Sequence, residues 1–179
     1  MKITYFVHSI TEDNENGLAT GWMQGKLSEE GIKRALSLRE DLSYRDFDAV
    51  FCSDLERAIQ STDLFFDNKF PIFLDWRLRE CNYGECDGKP AVEFKKDREQ
   101  EYILKPYPLG ENYKDVEGRI KSFLDDLNTF NYSHIAIVAH QAPQLALDVL
   151  LNNHTWEEAI SNDWRKTKSW QPGWEYSVD

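Results

Sequence analysis

Three short apolar runs, Ile3–Val7, Ala49–Cys52 and Ile135–Ala139, lack the polar alternation of a half-exposed sheet. That pattern belongs to strands covered on both faces, which need helices on either side of the sheet. The segments between them supply those helices. Ser28 is placed to cap one whose apolar stripe is Ile32, Ala35, Leu38 and Leu42. Asp54 opens a second, with Leu55, Ala58, Ile59, Thr62 and Phe66 on one side, and Val116, Ile120, Phe123, Leu124 and Leu127 mark a third at helical spacing. Pro143 starts a fourth that runs to Leu151. Pro71–Trp76 reads as a weaker strand and Trp174–Val178 as a closing edge strand. Strands alternating with helices imply an α/β three-layer sandwich, with a mainly parallel central sheet and helices on both faces.

A chain of 179 residues, 41% hydrophobic, can fill one core, so residues 1–179 are expected to form a single domain. Residues 89–112 are expected to form a helical insertion or lid, being polar and irregular from Lys89 to Pro108. No apolar run approaches the ~18 residues of a membrane span, and Met-Lys-Ile-Thr does not begin a signal peptide. Cys52, Cys81 and Cys86 form no CxxC pair and leave an odd thiol, which points to a reducing cytoplasm. A formal net charge of -11 argues against nucleic acid as a partner. An anionic substrate would need a local basic pocket, because the overall field repels it beyond a Debye length of about 8 Å.

Ligands of such sheets bind at the carboxyl ends of the strands. Three strands here end in groups capable of chemistry: His8, Ser53 with Arg57 one helical turn on, and His140. A single histidine at a strand end is commonly a hydrogen-bonded core residue, but two of four at the same ends of central strands suggest a shared task. His134 starts its strand, at the opposite end of the sheet, and reads as structural, and His154 falls in a loop. A neutral imidazole can attack phosphorus, while a second imidazole and a guanidinium hold phosphoryl oxygens. A metal site would need a third ligand, which is missing at metal spacing. The chain contains no P-loop, GxGxxG or GxSxG element.

These residues resemble the histidine phosphatases, or phosphoglycerate mutase-like proteins, over nearly the whole chain. That family opens on Arg-His-Gly-Glu-Thr, then Asn, then Gly-Trp; here "VHSIT" is followed by Asn14, and "NENGLATGW" continues to Trp22. "LSEEGIKRA" resembles its Leu-Thr-x-x-Gly helix start, and "FCSDLERAIQST" its Ser-Ser-x-x-x-Arg-Ala-x-x-Thr element. "LRECNYGECDGK" resembles Leu-x-Glu-x-x-x-Gly-x-x-x-Gly, and "PLGENYKDVEGRI" and "IAIVAHQ" complete the series. The resemblance implies a metal-independent phosphatase without cofactor, acting on a small-molecule phosphate ester through a phosphohistidine on His8. It makes Arg57 and a protonated His140 the phosphoryl-binding pair and Glu80 the acid/base carboxyl. It places substrate contacts at Asn14, Ser9 and Gln141. Without it, Glu80 would read as an exposed carboxylate pairing Arg77 or Arg79.

Departures cluster at the nucleophile. Val7 stands where the family has Arg, Ser9 where it has Gly, Ile10 where it has Glu, and Gln141 follows the second histidine in place of Gly. Val supplies neither the charge nor the bidentate donors of Arg. A catalytically impaired binding module for phosphorylated ligands is therefore the alternative, and a mutase-type phosphotransferase comes third. Arg165, Lys166 and Lys168 lie among Trp164, Trp170 and Trp174; the expectation is that the indoles pack the last strand and the cations stay solvated.

Overall fold

A computed structural model describes residues 1–42, 45–94, 99–167 and 173–178. In chain order its elements are β1 (Lys2–Val7), α1 (Glu12–Glu15), α2 (Glu29–Leu42), β2 (Ala49–Cys52), α3 (Glu56–Phe66) and β3 (Ile72–Leu74). Then follow α4 (Tyr113–Leu127), β4 (His134–Ala139), α5 (Gln141–Asn152), α6 (Trp156–Ser161), α7 (Trp164–Thr167) and β5 (Trp174–Ser177). The strands form one sheet in the order β3-β2-β4-β1-β5. All pairs are parallel except β1 with β5.

Period-two alternation divides each buried strand between two cores. Ile3, Tyr5, Phe51, Ile135 and Ile137 face α4 and α5, where they meet Val116, Ile120, Phe123 and Leu145. Phe6, Val50, Cys52, Ala136 and Val138 face the other way and pack with Ala35, Leu42, Ala58 and Phe65 of α2 and α3. The three-layer arrangement is the one the apolar runs imply. β1 and β4 lie side by side with Val7 opposite Ala139. The chain leaves β1 towards α2 and leaves β4 directly into α5, on opposite faces, so a crevice opens at the ends of these two strands.

Helix starts differ from the sequence expectation where a polar side chain has another use. Ser28 does cap α2, its Oγ accepting the Gly31 N–H at 3.1 Å. α3 begins at Glu56 rather than Asp54, because Leu55 stays extended and the Asp54 carboxylate is held by Arg79 at 2.7 Å. α5 begins at Gln141, two residues before Pro143, with His140 as its extended N-cap. Ile32, assigned to the buried stripe of α2, is 41% exposed. The stripe is turned by Gly31, whose backbone lies against the Ile10 carbonyl so closely that a Cβ would sit 2.0 Å from it.

The described part of 89–112 carries two 3-10 turns, Ala91–Glu93 and Glu99–Tyr102. Its aromatics are buried: Phe94, Tyr102 and Tyr107 join Tyr83 in the core, with Tyr102 and Tyr107 stacked at 3.8 Å. Residues 95–98 of that expected lid, and Lys168 and Trp170 of the tail, lie outside the described residues.

Candidate active site

Tyr5 ties the two central strand ends together: its hydroxyl accepts the His140 N–H at 3.0 Å and donates to the His140 carbonyl at 2.7 Å. The two imidazoles stand beyond it with ring centroids 5.0 Å apart. His8 Nδ1 lies 2.7 Å from the Ser9 carbonyl. A carbonyl only accepts, so Nδ1 carries the proton and Nε2 holds a lone pair. That lone pair faces the Arg57 Nε–H at 3.3 Å. Burial, and then the Arg57 charge, push the His8 pKa down to about 3, so the ring is neutral at ordinary pH.

His140 is fully buried, and its Nε2 lies 2.8 Å from Ser53 Oγ. Ser53 Oγ also accepts the Leu55 N–H at 3.4 Å. His140 Nδ1 has no partner among the described residues. Burial, Arg57 and His8 hold His140 well below the ordinary histidine range. This departs from the expected protonated His140: without an anion beside it the ring is neutral.

Arg57 is only 2% exposed. Its Nη1 donates to the carbonyls of Met23 at 2.7 Å and Gln24 at 3.1 Å, and its Nη2 to Gly21 at 2.8 Å. Among the described residues no carboxylate pairs with it. Position 21 favours glycine. Its φ is +45°, and a Cβ there would lie 1.8 Å from Asp87 Oδ1.

Glu80, also buried, pairs with neither neighbouring arginine. Arg77 is taken by Asp75 and Asp126, and Arg79 by Asp54. The Glu80 oxygens instead accept N–H groups from Cys81 at 2.9 Å, Ala142 at 3.0 Å and Gln141 at 3.2 Å. Two of these belong to the first turn of α5, where donors lack intrahelical partners.

His8, Arg57, Glu80, Asn14 and Gln141 line one cleft of about 450 Å³. Asn14 closes the capping box of α1, whose N-cap is Thr11, with its Oδ1 accepting the Thr11 N–H at 3.1 Å. Ser9 does not line this cleft. Its hydroxyl donates to the Gly31 carbonyl at 2.7 Å, on the α2 side. The Gln141 side-chain amide donates to Asp163, a buried carboxylate that nothing in the sequence singled out. Arg165 and Lys166 line the cleft together with Val7 and are exposed there, in keeping with the expectation that the tail cations stay solvated. No three His, Cys, Asp or Glu side chains among the described residues cluster as metal ligands.

Residues 6–171 match the family model described as the histidine phosphatase superfamily, branch 1. The chain is 30% identical over 160 residues, 84% of its length and 79% of the relative's, to a Hydrogenobacter thermophilus protein named "Putative phosphoserine phosphatase 2". It is 35% identical over 99 residues to the 2,3-bisphosphoglycerate-dependent phosphoglycerate mutase of Streptococcus mutans. That second match spans 52% of this chain and 43% of the mutase. The α-ribazole phosphatase structure from Shigella flexneri superposes with a TM-score of 0.77 at 25% identity, covering 89% of this chain and 83% of that one. A phosphoglycerate mutase-like fold, two strand-end histidines, a buried arginine and a match along nearly the whole sequence meet in one conclusion: the chain belongs to the histidine phosphatase superfamily.

Proposed function

We propose that this protein hydrolyses a small phosphomonoester through a phosphohistidine on His8. The observation that carries the proposal is Arg57, a buried guanidinium with no carboxylate partner among the described residues, set against the lone pair of a neutral His8. An isolated buried charge is costly, and a site built around one is built for an anion.

In the reaction, His8 Nε2 forms the N–P bond as the ester P–O bond breaks in line. Arg57 and His140 stabilise the charge spread over the equatorial oxygens, and the Asn14 amide adds a neutral donor. Glu80 passes a proton to the departing alkoxide, then takes one from the water that attacks phosphorus. The N–P bond breaks, and His8 returns with inorganic phosphate as the second product. Relatives named for phosphoserine and α-ribazole phosphate support a small alcohol as the leaving group, and a cleft of about 450 Å³ has room for one. The three free thiols, two of them buried, agree with a cytoplasmic setting.

Val7 on the cleft wall favours a second reading, a module that binds phosphorylated ligands without turnover. One experiment separates the two. Brief mixing with a labelled phosphate ester should leave an acid-labile, alkali-stable label on His8, and His8→Ala should lose label and turnover together. Binding of the ester with no label and no product would establish the module instead.

A further inference from the structure

We propose that Arg165 is the second anion-binding cation of this site, gripping the phosphoryl oxygens from the Val7 side while Asp163 positions it. The inference rests on the phosphatase reading above and adds to it.

A guanidinium has five N–H donors. Those of Arg57 are largely committed: two to Met23 and Gln24, one to Gly21 and one to His8, leaving a single Nη2 N–H. Arg57 therefore brings charge to the cleft but little of the fork that matches a phosphate. Both imidazoles are neutral before an anion arrives. A phosphate monoester dianion presents three terminal oxygens, and on the wall beside His8 the side chain of Val7 offers no donor at all.

Two further cations line the cleft, and they differ in what holds them. Lys166 Nζ, a point charge, is drawn to Glu99 at 3.0 Å, whereas a guanidinium paired through one nitrogen keeps its remaining donors for a second partner. Arg165 uses Nη1 on Asp163 Oδ1 at 3.2 Å, and its Cζ lies 4.5 Å over the Trp164 ring. Its Nε and Nη2 donors meet no described residue. Arg165 and His8 line the same cleft.

Asp163 is built for positioning rather than for neutralising a surface charge. Its side chain is 2% exposed, and Oδ1 also accepts the Arg165 backbone N–H at 3.0 Å. Its other oxygen accepts the Gln141 amide, whose backbone N–H reaches Glu80. The chain of contacts thus runs from the helix that follows His140, through one buried carboxylate, to a guanidinium with an open edge. Gln141, expected to touch substrate, lines the cleft and gives its side-chain amide to Asp163.

The test is calorimetric binding of inorganic phosphate together with kcat/KM on p-nitrophenyl phosphate. Arg165→Met, which keeps the stem, should weaken phosphate binding and lower kcat/KM by about tenfold to a hundredfold. Arg165→Lys should restore part of the affinity through charge alone. Asp163→Asn should weaken phosphate binding less, and the two losses should combine to less than their sum in the double variant, since the carboxylate acts on phosphate chiefly through the arginine. Wild-type phosphate affinity in Arg165→Met, or additive losses in the double variant, overturns the inference. If the wild type binds phosphate but hydrolyses nothing, the phosphatase reading falls and the binding arm still decides the role of Arg165. A wild type that binds no phosphate overturns both.

Discussion

Arg57 and Arg119 are both buried arginines, 2% and 7% exposed, in one acidic chain. Arg119 is fully answered: Nε and Nη2 grip both oxygens of Glu111 at 2.9 and 3.2 Å. Its other bonds fasten the carbonyls of Arg77 and Glu80, which fixes the segment bearing the Glu80 carboxyl. Arg57 donates as many bonds, yet only to carbonyls and one imidazole nitrogen. Carbonyl dipoles solvate a cation without cancelling it. On the function proposed above, the difference separates a charge used to hold the fold from one kept available for a ligand.

The largest effect should come from exchanging each arginine for methionine. Arg119→Met leaves the Glu111 carboxylate without its cation, held by the Asn82 N–H, and should cost about 3–5 kcal/mol of stability. Arg57→Met leaves three carbonyls short of a donor, a smaller loss of roughly 1–3 kcal/mol, but should cut turnover about 10²–10³-fold. Denaturant melts and kinetics on both proteins check this. Should Arg57→Met lose as much stability as Arg119→Met and keep its turnover, Arg57 is a structural residue after all.

Glu80 sharpens the contrast, because its negative charge is the strongest Coulombic influence on Arg57 although the two are not ion-paired. If Glu80 is the proton carrier, Glu80→Gln should slow alkyl phosphates about a hundredfold and aryl phosphates far less. Equal losses on the two ester classes would make Glu80 a distant counter-charge and bring Arg57 closer to the Arg119 pattern.

A subtler effect concerns His8. Its pKa near 3 lies below the ordinary 6.5, with Arg57 second to burial as the cause. A depressed histidine contributes stability that is fully present above about pH 6.5 and is lost as pH falls towards 3. In Arg57→Met the His8 resonance should titrate closer to its ordinary range in NMR spectra, narrowing that window. Arg119→Met should leave it in place. An unmoved His8 titration in Arg57→Met would show that burial alone sets it.

The strands were readable because burial on both faces leaves a direct mark: Ala49–Cys52 is the observed strand without adjustment. Helix starts were less so, since Asp54 looks like a cap and its true partner, Arg79, is distant in sequence. The strand-end histidines and Arg57 follow from position in the sheet. Glu80 was harder, because its backbone donors come from residues 141 and 142, and only the resemblance to a family singled it out. Asp163 carried no signal: an acidic residue in a polar tail looks solvated until Gln141 and Arg165 close around it. The assignment of Ser9 to substrate rested on its place beside His8, whereas the backbone turn after β1 sends its hydroxyl to Gly31.

The position of β1 has a consequence for how the molecule comes into being. Its hydrogen-bonded neighbours are β4 and β5, so Lys2 waits for His134 and Ser177. During synthesis β2 and β3 can pair with each other early, while the strand that ends at His8 has no place to dock until β4 has emerged. Closing so long a loop adds only modest entropy cost per doubling, but such distant contacts slow the search. The two histidines therefore meet late, and Arg165 joins later still. A nascent chain halted before residue 134 would hold β1 without either of its sheet partners.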